Sequence, residues 1–267
     1  MDLFYREVGS GFPVVVLHGL YGSSDNWFSI AKQLGYCYRI ILVDQRNHGN
    51  SPHVETHTYN DLVRDLYGLA QKLNLDKFHL VGHSMGGRVA MLFQTQYPDL
   101  VRSLVVVDVA PWSYSENDTW FKSNYNEHRS IIRSMRNLSL SDVDSRLEAD
   151  RLLALSIPSE RLRQFLFKNL RRDTDGKFYW SINLSALEIG LDGMVQGVDI
   201  DSRFVRELDV LFIKGDNSEY IPKRKEPEIL RIYPKAKIVV VKNAGHWVHA
   251  EQPRVFVDEV MNFFSGV

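Results

Sequence analysis

The chain has 267 residues, 44% hydrophobic and 24% charged, which is an ordinary globular composition with room for one large α/β domain or a domain with an insertion. Its formal net charge of −1 gives no reason to expect nucleic acid or an anionic membrane as a partner. The single cysteine, Cys37, excludes an internal disulfide and is typical of a reducing compartment.

The N-terminal segment from Met1 to Arg6 lacks the basic and long apolar regions of a secretion signal. No run of about 18 apolar residues, the length that spans a bilayer, occurs anywhere in the sequence. We therefore expect a cytoplasmic protein with no stable membrane insertion.

The first part of the chain alternates apolar runs with helical patterns. Thr58 to Asp61 resembles a capping box and predicts a helix whose apolar face includes Leu62, Leu66 and Leu69. Runs that are apolar on both faces predict buried strands, and helices between them predict a doubly wound, mostly parallel sheet. Four such runs are Val14–Leu17, Arg39–Val43, Phe78–Val81 and Leu104–Val107.

The pattern changes after Pro111. From Trp112 to about Val205 no strong strand run occurs, and helices are predicted over Ser145–Leu155 and Glu160–Arg171. We therefore expect residues 112–205 to form a helical cap inserted between two strands.

The α/β pattern resumes at Val210–Ile213 and ends with the strand Ile238–Val241. Helices are predicted over Pro222–Tyr233 and Pro253–Phe264. The expected core is therefore made of residues 1–111 and 206–267.

The most informative motif is Gly82-His83-Ser84-Met85-Gly86, which has the form G-x-S-x-G. It follows a predicted strand and precedes a predicted helix, which is the context of a nucleophile elbow. Such a tight turn holds the serine hydroxyl above the sheet edge, where the helix N-terminus favours developing negative charge. Ser84 is therefore the candidate catalytic nucleophile.

A serine nucleophile needs a histidine base and an acid that orients the base. His246 follows the last strand in a Gly-His pair, and we prefer it to His249, three residues further on. For the acid we favour Asp108, at the end of the strand after the nucleophile helix, and keep Asp216 as the alternative. The resulting order of serine, aspartate and histidine suits an open α/β sheet.

The oxyanion hole requires two backbone N–H groups directed at the developing alkoxide. We expect one from Met85, which follows the nucleophile. The other should come from the His18-Gly19-Leu20 turn, where Leu20 is the best candidate.

Substrate contacts are expected from His83, Trp112 and Trp247, which lie near the predicted catalytic segments. Arg88 could bind a substrate carboxylate, but a structural ion pair is the interpretation we favour for it. The polar loop that begins at Asp44 is interpreted as a hydrogen-bonded scaffold beside the pocket.

Together these motifs resemble the α/β-hydrolase superfamily over nearly the whole chain. The segments Tyr21–Trp27 and Arg46–Gly49 are similar to a branch of small acyl esterases with bacterial and animal members. The resemblance implies hydrolysis of a small-molecule ester or thioester through an acyl-enzyme, with neither cofactor nor metal. Members of this branch lack the usual aspartate after the cap, as this chain does at Ser218, and that supports Asp108.

Two alternatives stay open. The same fold hosts carbon–carbon bond hydrolases and lyases, and a binding protein can reuse it without catalysis. Haloalkane dehalogenase and epoxide hydrolase activities are disfavoured, because both would need an aspartate in place of Ser84.

Overall fold

The computed structural model describes residues 1–205 and 207–267. These residues form the strands β1 (Tyr5–Val8), β2 (Phe12–Leu17), β3 (Tyr38–Val43), β4 (Phe78–His83), β5 (Val101–Val107), β6 (Leu170–Arg172), β7 (Phe178–Trp180), β8 (Val210–Gly215) and β9 (Lys237–Val241). Their helices are α1 (Phe28–Leu34), α2 (Tyr59–Lys72), α3 (Met85–Gln96), α4 (Thr119–Asn137), α5 (Arg146–Ala154), α6 (Glu160–Leu166), α7 (Leu184–Gln196), α8 (Glu226–Ile232), α9 (Val248–Glu251) and α10 (Pro253–Ser265). Short 3-10 helices occupy Ser24–Trp27, Pro98–Leu100, Leu140–Asp142, Phe167–Asn169, Ser202–Phe204 and Lys223–Lys225.

Seven strands make the main sheet, in the order β1-β3-β2-β4-β5-β8-β9. Strand β1 is antiparallel to β3, and every other neighbouring pair is parallel. The carboxyl ends of β2, β4, β5, β8 and β9 therefore meet at one edge of the sheet. This arrangement is the mostly parallel, doubly wound α/β fold that the sequence predicts.

Alternate side chains of each central strand face different helical layers. In β2, Val14 and Val16 pack in the cluster that contains residues of α1 and α10. Val15 and Leu17 pack in the opposite cluster, with residues of α2, α3 and α8. Burial on both faces is the reason the strand sequences are continuously apolar.

Helix α2 begins as the sequence predicts. The hydroxyl of Thr58 accepts a hydrogen bond from the N–H of Asp61 at 3.2 Å, and the Asp61 carboxylate accepts one from the N–H of Thr58 at 3.4 Å. This reciprocal pair satisfies two backbone donors that have no partner inside the helix.

Helices α4 to α7 and the β6–β7 hairpin lie between β5 and β8, and their buried side chains form a separate hydrophobic cluster. The hairpin corrects the expected helix over Glu160–Arg171, because α6 ends at Leu166 and β6 begins at Leu170. The hairpin turn explains the difference. The Asp173 carboxylate accepts N–H bonds from two turn residues, and Gly176 has φ +80°.

The two ends of this inserted segment lie close together. Strands β5 and β8 are adjacent and parallel, with Leu104 opposite Val210. The N–H of Ile200 also donates to the carbonyl of Pro111 at 3.4 Å. The chain therefore leaves the sheet and returns to it at neighbouring positions. Across residues 1–205 and 207–267, no helix is both long and apolar enough to cross a bilayer.

Candidate active site

Ser84 occupies a strained turn between β4 and α3. Its backbone has φ +52° and ψ −118°, a conformation that ordinary L-residues rarely adopt. A Cβ atom on Gly82 would lie 2.3 Å from the carbonyl oxygen of Gly86, and one on Gly86 would lie 2.6 Å from that of His18. Only glycine fits at either position, so the G-x-S-x-G spacing follows from the tightness of the turn.

The imidazole of His246 faces the carboxylate of Asp108. Because a carboxylate only accepts, Nδ1–H of His246 donates to Oδ2 of Asp108, at 2.7 Å. Asp108 is fully buried, and its φ of +51° turns the chain sharply at the end of β5. The bond fixes the tautomer and leaves Nε2 of His246 as a free proton acceptor.

Two further groups donate to the Asp108 carboxylate. The N–H of Gly215 donates to Oδ1 at 3.3 Å, and the hydroxyl of Ser218 donates to the same Oδ2 that receives His246. Ser218 therefore helps to hold the carboxylate that faces His246.

Asp216 does not face the imidazole. Its side chain is exposed, and its Oδ1 accepts a hydrogen bond from the backbone N–H of Ala244 at 3.3 Å. Of the two carboxylates that the sequence left open, the structure brings Asp108 to His246 and uses Asp216 to tie two loops together.

The loop that carries His246 is held from several sides. The ring of Tyr220 stacks on the imidazole at 3.8 Å between centroids, with an interplanar angle of 13°. The Nε2–H of His83 donates to the carbonyl of His246 at 2.8 Å. The carboxylate of Glu251 accepts the backbone N–H groups of Gly245 and Trp247, at 2.8 and 3.2 Å. Sequence reasoning missed both Tyr220 and Glu251, because neither lies in a motif.

The other histidines near the site are buried and neutral. Burial lowers the pKa of His18 to about 4, lowers that of His249 to about 3, and holds that of His83 well below its ordinary value. His249, the rival candidate for the base, stacks on Trp27 at 4.0 Å between centroids and is 4% exposed. Its position is that of a packed side chain under the site.

The two expected oxyanion donors lie beside Ser84. Leu20, Met85 and Ser84 all line one small cavity. Met85 is the first residue of α3, so its N–H has no acceptor within the helix. A Cβ atom on Gly19 would lie 3.2 Å from the Cβ of Ser84, so the loop that carries Leu20 approaches as closely as glycine allows.

Two cavities meet at Ser84. The larger, of about 390 Å³, has walls from both the sheet edge and the inserted helices. The smaller, of about 30 Å³, extends along α3. Residues that line the larger cavity include Leu20, His83, Ser84, Glu127, His128, Phe165, Tyr220, His246 and Trp247.

The expected substrate contacts are placed differently. Trp247 lines the larger cavity, with its ring 5.2 Å from that of Phe165, and His83 lines it while bonding to the His246 loop. Trp112 instead lines a neighbouring cavity and does not line either cavity at Ser84. The neighbouring Ser113 donates two hydrogen bonds to the Asp199 carboxylate. These bonds hold the segment that carries Trp112 beside the end of the insertion.

The polar loop after β3 has the structure of a scaffold. The Asp44 carboxylate accepts N–H bonds from Ser24 and Asn50, at 2.6 and 2.8 Å. Arg46 is buried and forms a two-point ion pair with Asp65, at 2.6 and 3.0 Å. These bonds connect the loop to α2 and to the Ser24 turn.

Arg88 corrects the sequence interpretation. Its side chain is only 4% exposed, and among the described residues its guanidinium hydrogen-bonds backbone carbonyls and the Tyr59 hydroxyl and forms no ion pair. Within residues 1–205 and 207–267, no group of three or more His, Cys, Asp or Glu side chains has an arrangement that could hold a metal ion.

Comparison with known proteins places these residues in a wider context. A family model described as the alpha/beta hydrolase fold matches residues 13–253. The chain is 36% identical over 264 residues to the sn-1-specific diacylglycerol lipase ABHD11 of Danio rerio, covering 96% of this chain and 80% of that protein. It is 31% identical over 253 residues to Esterase YbfF of Escherichia coli K12, covering 95% of this chain and 93% of that protein. A solved structure of a marine microorganism esterase superimposes with a TM-score of 0.91 at 39% identity, covering 98% and 99% of the two chains.

Proposed function

Because this chain belongs to the α/β-hydrolase fold family and is a hydrolase, we propose that it cleaves carboxylic esters of acyl chains through an acyl-enzyme formed on Ser84. The observation that carries the proposal is the His246–Asp108 bond. It directs Nδ1 to the carboxylate, so Nε2 is the nitrogen that can accept a proton, and His246 lines the cavity that Ser84 also lines. A histidine oriented in this way can act first as a base and then as an acid.

In the first half-reaction, Nε2 of His246 takes the Ser84 hydroxyl proton while Oγ attacks the ester carbonyl. The N–H groups of Leu20 and Met85 stabilise the oxyanion, and Asp108 stabilises the imidazolium that forms. The proton then passes from His246 to the leaving alcohol as the carbon–oxygen bond breaks.

In the second half-reaction, His246 removes a proton from water, which attacks the acyl-enzyme carbonyl. As this intermediate collapses, His246 returns the proton to Oγ of Ser84, the bond between the acyl carbon and Oγ breaks, and the carboxylic acid is released. A thioester follows the same steps with a thiol as the leaving group, so we include thioesters in the proposed substrate class.

We further propose that residues 112–205 act as a cap over a core of residues 1–111 and 206–267. Inserted residues such as Trp120, His128 and Phe165 line the larger cavity opposite the sheet edge. Acyl and alcohol preference would then depend on the cap. The diacylglycerol lipase named among the relatives makes a diacylglycerol a substrate worth testing.

The test combines turnover with covalent labelling. Wild type should hydrolyse members of a chain-length series of p-nitrophenyl esters, coenzyme A thioesters and a diacylglycerol, and a fluorophosphonate should label Ser84 by mass spectrometry. Ser84→Ala should lose labelling and about 10⁴-fold or more of kcat. Ser130→Ala is the matched control, because that exposed serine on α4 lies away from both cavities.

The alternatives give different results. A binding protein without a working nucleophile would show neither labelling nor turnover. An enzyme labelled at Ser84 but inactive on every ester and thioester would favour cleavage of carbon–carbon bonds.

A further inference from the structure

Arg88 lies in the first turn of α3, close to the nucleophile in the chain. It follows Ser84, the N-cap of the helix, by four residues, and its backbone N–H donates to the Ser84 carbonyl at 3.1 Å. Its Nη1 donates to the carbonyls of Met194 and Val195 near the C-terminus of α7, at 2.7 and 3.2 Å. These two bonds give one end of the guanidinium a structural role.

The other end of the guanidinium has no partner. Nε and Nη2 of Arg88 are buried and make no hydrogen bond. The ring of Tyr114 lies 5.7 Å from the guanidinium carbon. A buried charge without a counter-ion is unfavourable, and the C-terminus of α7 offsets only part of that cost. The Arg88 guanidinium therefore lacks a counter-anion.

The small cavity connects this cation to the nucleophile. Arg88, Ser84 and the oxyanion residues Leu20 and Met85 all line its wall. Its volume of about 30 Å³ exceeds what one water molecule requires and excludes a long acyl chain. A group that enters it from Ser84 must therefore be short, and a carboxylate there would supply the counter-charge that Arg88 lacks.

The charges around the two cavities favour this orientation. The exposed carboxylate of Glu127 lines the larger cavity, where it disfavours an anion. His128 and Tyr220 line both cavities and stay neutral, because burial lowers the pKa of His128 to about 4 and raises that of Tyr220. The Asp108 carboxylate is already bound by His246 and Ser218.

Building on the proposed esterase activity, we propose that Arg88 binds a carboxylate at the far end of a short acyl group whose carbonyl is attacked by Ser84. The substrates are then half esters or half thioesters of short dicarboxylic acids. The small volume of the smaller cavity, about 30 Å³, favours a short acid such as succinic acid. The alcohol or thiol part occupies the larger cavity.

The kinetic test uses two matched substrates, monoethyl succinate and its uncharged analogue ethyl succinamate. Wild type should have a kcat/KM at least tenfold higher for monoethyl succinate. Arg88→Met should lower kcat/KM for monoethyl succinate by about 10²-fold, the scale of a lost charged hydrogen bond, and change ethyl succinamate far less. Arg88→Lys keeps the charge but loses the forked geometry. Its kcat/KM for monoethyl succinate should lie between those of wild type and Arg88→Met.

A binding test separates this proposal from the esterase proposal. Wild type should bind succinate in a calorimetric titration and bind succinamide at least tenfold more weakly, whether or not any ester is hydrolysed. Equal binding of the two, or equal turnover of the two substrates by wild type, would overturn the role of Arg88 and leave the esterase proposal intact. Both comparisons use wild type, so a folding defect in Arg88→Met does not affect them.

Discussion

His246 and Asp108 are joined by a hydrogen bond of 2.7 Å although 138 positions separate them in the chain. Between them lie the inserted helices and β8, and the adjacency of β5 and β8 in the sheet brings the two loops together.

Asp108→Asn should lower kcat by about 10³- to 10⁴-fold, because an amide NH₂ facing Nδ1 favours the wrong imidazole tautomer. Asp216→Asn is the matched control and should change kcat less than about threefold, since its side chain only accepts one backbone N–H. Steady-state kinetics on a p-nitrophenyl ester would measure both. A larger loss of kcat in Asp216→Asn than in Asp108→Asn would mean that Asp216, and not Asp108, is the acid that orients His246.

Tyr220→Leu should lower kcat by up to about tenfold, because stacking on His246 contributes about 0.5–1.5 kcal/mol to holding the imidazole in place. Tyr220→Phe keeps the ring and should retain nearly full kcat. The comparison is made at saturating substrate, where a change in KM has no influence. Equal losses in the two variants would mean that the hydroxyl matters and the stack does not.

Gly19→Ala should reduce kcat by about 10²-fold, which is the usual cost of displacing one oxyanion donor. The new Cβ would lie 2.7 Å from Nδ1 of His83 and 3.2 Å from the Cβ of Ser84, so the loop that carries Leu20 must move.

Gly68→Ala is the control for that substitution. Gly68 lies within α2, and a Cβ there would meet no atom within 4 Å. We expect unchanged kcat and a gain of up to about 1 kcal/mol in the free energy of unfolding, from improved helix propensity. An active Gly19→Ala enzyme would remove the Leu20 loop from the proposed oxyanion hole.

His79→Gln should make the free energy of unfolding less dependent on pH. Burial lowers the pKa of His79 to about 4, whereas in the unfolded chain it stays near 6.5. Between these values the unfolded state binds the extra proton, so the stability that is fully present above pH 6.5 is lost as the pH falls toward 4. At pH 5 this one group costs wild type about 2 kcal/mol relative to pH 7.5.

Urea denaturation at the two pH values would measure this effect. The glutamine can still hydrogen-bond Ser103, which His79 contacts at 2.7 Å, so the variant should fold. Its deficit relative to wild type should be about 2 kcal/mol smaller at pH 5 than at pH 7.5. If the stability deficit of the variant is the same at pH 5 and pH 7.5, then His79 is already protonated at pH 5 in the folded protein.

Much of the sheet was predictable from the sequence. Buried parallel strands must be apolar on both faces, and the runs that begin near Val14, Arg39 and Val210 therefore identified β2, β3 and β8. The insertion was harder to predict. The sequence prediction does not include helix α4, which packs through Phe121, Ile131 and other spaced apolar residues. It also does not include the β6–β7 hairpin, although Gly176 is typical of a turn.

The candidate site was predictable where local strain required particular residues, as around Ser84. It was not predictable where the decision depends on the direction of a side chain. Asp108 and Asp216 both follow adjacent strands, and the positive φ of Asp108 is what turns its carboxylate to His246. An ion pair for Arg88 was expected from its type alone, but tertiary packing surrounds it with carbonyls and a cavity.

The closeness of the two ends of the insertion has an evolutionary consequence. A segment that departs after β5 and rejoins at β8 can be exchanged by recombination at two points, without moving the strand ends that carry Ser84, Asp108 and His246. The reaction and the preference for the alcohol or thiol part of the substrate would then be encoded in separate lengths of one gene. Chimeras made at these junctions should inherit their preference for the alcohol or thiol part of the substrate from the donor of the insertion. Their reaction, and the acyl preference set by Arg88, should come from the donor of the sheet.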